Sequence, residues 1–247
     1  MTGTGSSDPG AQPLVPGASR APGAVTIGPF TEDDLPLIVA VHRSAFPASI
    51  LTRLGPDVVR LHYESLWSGA HDVMGLIARA ADGEAVGFLV GGVFRGSSVR
   101  FIAANRWRLA RALLVRPQIL LSRVAFARVR LGLGLLAAAR RPHGPERPSR
   151  VPARSFGVLV LAVEPGAQGA GVGQQLLADV ATRARADGFE SIHLTTYPGS
   201  ESARFYAAHG WTRIHEPDGS WEGLMIRSLT DQPGDTCDAE VIVGPEP

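Results

Sequence analysis

Four glycines fall within eight residues, at positions 166, 169, 171 and 173. They follow an apolar run, Phe156 to Val163, and precede a stretch with helical spacing. Glycine leaves no Cβ between the backbone and a ligand. The first amides of a helix have no internal acceptor, so they suit an anion such as a phosphate. Forty residues on, Tyr206 offers a phenolic proton. His42, His193 and Glu164 are the other titratable candidates. Each has a plainer reading: the histidines as packed residues, and Glu164 as a carboxylate past the strand end.

Three phosphate-loop patterns compete for the glycine turn. A Walker loop requires a lysine, and the chain has none. A dinucleotide fingerprint requires a third glycine where Gln174 or Leu176 stands, and the next strand ends in Thr195-Thr196 instead of an acid. The third pattern, Q/R-x-x-G-x-G/A, is filled by Gln168, Gly171 and Gly173. After a strand ending Val-x-Pro, it resembles the pyrophosphate loop of the GCN5-related N-acetyltransferases. The run Ala203-Arg204-Phe205-Tyr206, closed by Gly210-Trp211, resembles a second signature of that superfamily.

This resemblance implies an acetyl-CoA-dependent N-acetyltransferase, with acetyl-CoA as co-substrate and no metal. The backbone of Leu161, Ala162 and Val163 would pair with the pantetheine arm. Amides of Gln168, Gly169, Ala170, Gly171, Val172, Gly173 and Gln174 would hold the pyrophosphate. Tyr206 would protonate the leaving thiolate, and an amine of a small molecule or peptide would attack directly. Two departures point to an alternative, a catalytically weakened acyl-CoA-binding or membrane-surface module on the same fold. Gly199 stands where the family often has Asn, and Ser155 to Val163 contains no carboxylate to act as a base.

The elements that must position these residues are legible in the pattern. Val25–Ile27 reads as a strand, and Thr31 with Glu32-Asp33-Asp34 as a helix start. Leu35, Ile38, Val39, His42 and Phe46 then share a face. Pro56 to Trp67 is a second helix, and Val73–Ala80 with Ala85–Phe94 a hairpin turning at Asp82-Gly83. Phe156–Val163, nearly continuous and apolar, predicts a strand buried on both faces. The next helix has Leu177, Val180, Ala181 and Ala184 inward and ends at Gly188. Ser191–Thr196 is a strand, Ser200 caps a short helix, and Thr212–His215 with Trp221–Ile226 closes as a hairpin. This is an α/β (α+β) order, and the resemblance implies a mixed, mostly antiparallel central sheet flanked by helices. The predicted His42 to Gly55 connection lines the acceptor side.

The resemblance implies one acetyltransferase domain at residues 25–229, between a Gly/Pro/Ser/Ala tail at 1–24 that reads as disordered and a loose acidic tail at 230–247. The domain is interrupted at 95–154. This segment holds 14 arginines against one acid, 14 − 1 = +13, while the rest carries 10 − 22 = −12. Arg100–Val115 and Gln118–Ala139 have helical spacing, and Arg140 to Arg154 is a proline-rich return. The insertion admits three readings: a hairpin packed on itself or on a partner subunit of a homodimer, a site for an anionic acceptor such as a nucleotide-linked sugar, or a membrane-surface contact. It has no recognised nucleic-acid motif. With no signal segment, no 18-residue apolar run and one cysteine, Cys237, the expected compartment is the cytoplasm.

Overall fold

The computed structural model describes residues 25–68, 72–93, 97–116, 119 and 150–230. Expectations for the tails, for the Gln118–Ala139 helix and for most of the return loop lie outside these residues.

A seven-stranded sheet is the frame: β1 (Thr26–Pro29), β2 (Asp72–Arg79), β3 (Ala85–Val93), β4 (Ser155–Val163), β5 (Ser191–Thr195), β6 (Thr212–Arg213) and β7 (Leu224–Ser228). Their order is β1-β2-β3-β4-β5-β7-β6. Neighbours are antiparallel except β4 and β5, which run parallel. The β2–β3 hairpin turns at Asp82-Gly83, where Gly83 has φ +84° and the Asp82 carboxylate accepts from the Glu84 amide.

Strand alternation sends side chains to two cores. Leu76, Leu89, Phe156 and Ile192 face α6 (Val172–Ala186), which buries Leu176, Leu177, Val180 and Ala184 against them. Ile77, Phe88, Val90 and Ala162 face α1 (Leu35–Ala45) and α3 (Pro56–Trp67), which supply Ile38, Val59 and Tyr63. The sheet is therefore covered on both sides, and the expected inward faces of α1 and α6 are the buried ones.

The local signals place most ends. Thr31 forms a capping box with Asp34, but around a 3-10 turn at Glu32–Asp34; α1 begins only at Leu35. Gly188, with φ +83°, follows the last residues of α6, and the Phe189 amide returns to the Ala184 carbonyl. A short helix, α2 (Ile50–Leu54), capped by Ser49, falls where only a connection was expected. The expected single helix at Arg100–Val115 is two, α4 (Ser97–Ala104) and α5 (Arg106–Val115), broken at Asn105. The inner faces of α2, α3 and α5 share a small third core around Leu54, Val58 and Ile119.

Candidate active site

The sheet opens at its centre. β4 and β5 pair only at Ser155↔Ser191, Phe156↔Ile192 and Gly157↔His193. Both strands continue, β4 to Val163, without pairing to each other. A bulge marks the start of the divergence: Val160 faces Val90, Val158 faces Gly91, and Leu159 has no opposite residue on β3. Bulges bend the strand that carries them and sharpen its twist. Leu159 is 40 % exposed, which corrects the expectation of a strand buried throughout on both faces. Apolar composition alone does not reveal a bulge, so the sequence carried no sign of it.

Past the bulge, β4 presents backbone groups to the opening. The Glu164 amide donates to the Val86 carbonyl on β3 at 2.9 Å. Antiparallel ladders alternate, so Ala162 also turns to β3, while Leu161 and Val163 turn their N–H and C=O groups to the opposite, open side. One of these groups is already used: the Gln168 side-chain amide donates to the Val163 carbonyl at 3.0 Å.

The glycine turn lies next to this opening. A 3-10 turn at Pro165–Ala167 leads to Gly169 and Gly171, both left-handed at φ +79° and +82°. Gly171 is the N-cap of α6. Among the described residues no backbone acceptor takes the amides of Gly169 to Gln174, and the first amide to return into the helix is that of Gln175, to Gly171. A Cβ at Gly166 or Gly169 would meet nothing within 4 Å, so the approach is clear. Gln168 has partners within the turn. Its own amide points back to the Pro165 carbonyl at 3.4 Å, and its side chain braces Val163.

Tyr206 sits on α7 (Glu201–Ala208), whose cap is the Ser200 hydroxyl accepting from the Ala203 amide. Its neighbour Phe205 reaches the start of α6: a Cβ at Gly173 would stand 3.7 Å from the Phe205 ring and the Val163 side chain. Helix α7 is thus seated beside the end of β4 and the glycine turn. The Tyr206 ring packs edge-on to Trp211 and Phe205, and burial pushes its hydroxyl up to about 12. That hydroxyl makes no hydrogen bond among the described residues, unlike a core tyrosine with a settled partner. Gly199 lies in the exposed turn before α7 with φ +77°.

Of the remaining candidates, His193 lies at the vertex of the split. Its Nδ1 is 2.9 Å from the Ser155 hydroxyl, and its ring covers Gly157 so closely that a Cβ there would stand 3.2 Å away. Burial lowers its pKa, which favours the neutral imidazole. Glu164 stands just past β4, and the Ser44 hydroxyl of α1 approaches its carboxylate at 3.4 Å. The end of α1, and with it the Phe46–Ser49 connection, therefore adjoins the open end of β4. His42 is a packed residue: it is buried and shares a 2.7 Å hydrogen bond with the Tyr63 hydroxyl. No group of acidic, histidine or cysteine side chains among the described residues has the makings of a metal site.

A sheet split between a bulged strand and its parallel neighbour, with a glycine-led helix at the gap, defines an acetyltransferase-type fold. Residues 132–213 match the family model described as an acetyltransferase (GNAT) domain. No curated protein matches it by sequence. Solved structures resemble it in fold. One is of histone acetyltransferase HPA2 and a related acetyltransferase from Corynebacterium glutamicum, 20% identical, covering 82% of this chain and 95% of that one, with a TM-score of 0.50. Another is a GNAT-family protein from Desulfovibrio desulfuricans, 15% identical over 83% of this chain and 99% of that one, TM-score 0.50. The PaiA N-acetyltransferase from Thermoplasma acidophilum, solved with coenzyme A, is 12% identical over 83% and 99%, TM-score 0.48.

Proposed function

We propose that the protein is an N-acetyltransferase that moves an acetyl group from acetyl-CoA to an amine of a small-molecule or peptide acceptor. The carrying observation is the juxtaposition of two backbone sets that are open apart from the Val163 carbonyl. Leu161 and Val163 face the split in the sheet, and the Gly169–Gln174 amides face outward at the start of α6. An extended amide-bearing arm ending in a diphosphate fits both. The arm would add to β4 like a strand, and the diphosphate would take the helix-start amides.

Chemically, the acceptor's neutral nitrogen attacks the thioester carbonyl. A C–N bond forms, the C–S bond breaks, and the departing sulfur takes a proton from Tyr206. The raised pKa keeps that proton in place at neutral pH. The amine's own surplus proton leaves to solvent or to a side chain on the α1 side of the sheet, where His193 and Glu164 stand. Isothermal titration with coenzyme A tests the reading, with micromolar binding expected by analogy with ordinary substrate affinities. No heat of binding would overturn it. A weakened acyl-CoA-binding module is the second reading, favoured by the absence of any carboxylate along β4. Coenzyme A binding without thioester turnover on a broad amine panel would select it. Cytoplasmic residence belongs to the same proposal.

A further inference from the structure

Helix α5 has one face without a partner in the described structure. Leu109, Ala112 and Leu113 pack inward against the Leu54–Val58–Ile119 core. Trp107, Leu114 and Val115 point the other way and are 76 %, 80 % and 67 % exposed. Single exposed apolar residues are ordinary, but Trp107 and Leu114 lie two turns apart on one line of the helix, with Val115 beside them. Between them stands Arg111, and Arg106 and Arg108 flank the line, all three exposed.

A cavity of about 550 Å³ borders this face at Arg111 and Val115, between α5 and the outer side of α3. Its charged lining is Arg60, Arg108, Arg111 and Arg116 against Asp57 and Glu64, 4 − 2 = +2. Arg60 is held by Glu64 at 2.7 Å, and Arg116 donates to the Leu54 carbonyl at 2.7 Å. Arg108 and Arg111 have no ion pair or hydrogen bond among the described residues. The described part of the insertion from 97 to 116 holds five arginines and no acid.

We propose that this face of α5 docks on the surface of an anionic lipid bilayer. Trp107, Leu114 and Val115 enter the interface, while Arg108 and Arg111 take lipid phosphates at the mouth of the α3–α5 cavity. Both halves of the pattern are required by such a surface, an apolar ridge for the acyl boundary and a basic rim for the headgroups. A nucleic acid would use the arginines but leave the exposed Trp–Leu ridge unexplained. Among the described residues no helix is long and apolar enough to cross a membrane. The proposal is independent of the acetyl-transfer reading.

Flotation of the full-length protein with phosphatidylcholine vesicles, with and without phosphatidylglycerol, tests it. Binding is expected only with the anionic lipid and should weaken as salt is raised. Arg108→Gln with Arg111→Gln should lower partition roughly thirtyfold, since each basic residue contributes about a fivefold factor at such a surface. Trp107→Ser with Leu114→Ser should lower it while leaving the thermal midpoint unchanged, because both side chains are already in solvent. Equal binding to neutral and anionic vesicles, or no binding, would overturn the proposal. So would either double variant behaving like the parent, or tighter binding to a nucleic-acid duplex than to vesicles.

Discussion

On the proposed reading Tyr206 acts by its proton, whereas buried His42 bears on stability by its lack of one. Replacing Tyr206 with Phe keeps the ring that packs on Trp211 and removes only the hydroxyl. Turnover should fall about a hundredfold while coenzyme A affinity stays within about twofold, because a general acid matters in the transition state. Stopped assays of thiol release beside calorimetry would check the split. A matching loss of affinity would mean that the hydroxyl binds rather than donates. His42 predicts stability. Burial lowers its pKa from 6.5 to about 4, and lowers that of His62 to about 4 with help from His42. Depressed histidines bind fewer protons folded than unfolded, so their contribution is present above pH 6.5 and is lost as pH falls toward about 4. The urea midpoint should drop across that window, and His42→Phe should flatten the drop. A pH-independent midpoint between 7 and 4 would contradict the buried pair.

At the level of elements, the left-handed N-cap is the most exacting feature of the site. Gly171→Ala forces a Cβ into φ +82°, which costs about 1–2 kcal/mol and turns the α6 amides off their aim. Coenzyme A affinity should fall about tenfold with little change elsewhere, as read by calorimetry and circular dichroism. Gly166→Ala is the control: it has open space and an ordinary φ, so affinity should hold. Helices and strands were legible because their residues repeat at periods of 3.6 and 2 on faces that are in fact buried: Ile38 and Val39 in α1, Leu177 and Val180 in α6. The glycine turn was legible because φ above zero demands Gly at 169 and 171. The bulge at Leu159 was not, since Val158-Leu159-Val160 reads the same whether paired evenly or with one residue extra. Nor was the break at Asn105 legible, a residue that helical spacing passes over. The brace from the Gln168 side chain to the Val163 carbonyl, five residues back, depends on the path of the turn, which residue types alone do not announce.

Over the whole chain, charge is segregated along the sequence. The segment from 95 to 154 carries +13 and the remainder −12, which a net charge of +1 conceals. A bilayer contact through the arginines of α5 would be weakened by salt. Ligand linkage acts at the same scale. A coenzyme present at a hundred times its dissociation constant adds about 2.7 kcal/mol, which should raise the melting midpoint by roughly 5–10 °C in a chain of this size. Differential scanning fluorimetry reads this directly, and an unmoved midpoint would count against occupancy of the split. The divergence of β4 and β5 has one more consequence. Without a guest, it is an unzipped seam in the middle of the sheet, able to accept any extended peptide, including a loosened neighbour's. Heated alone, the protein should cloud through intermolecular strand exchange, and saturating coenzyme should keep the solution clear.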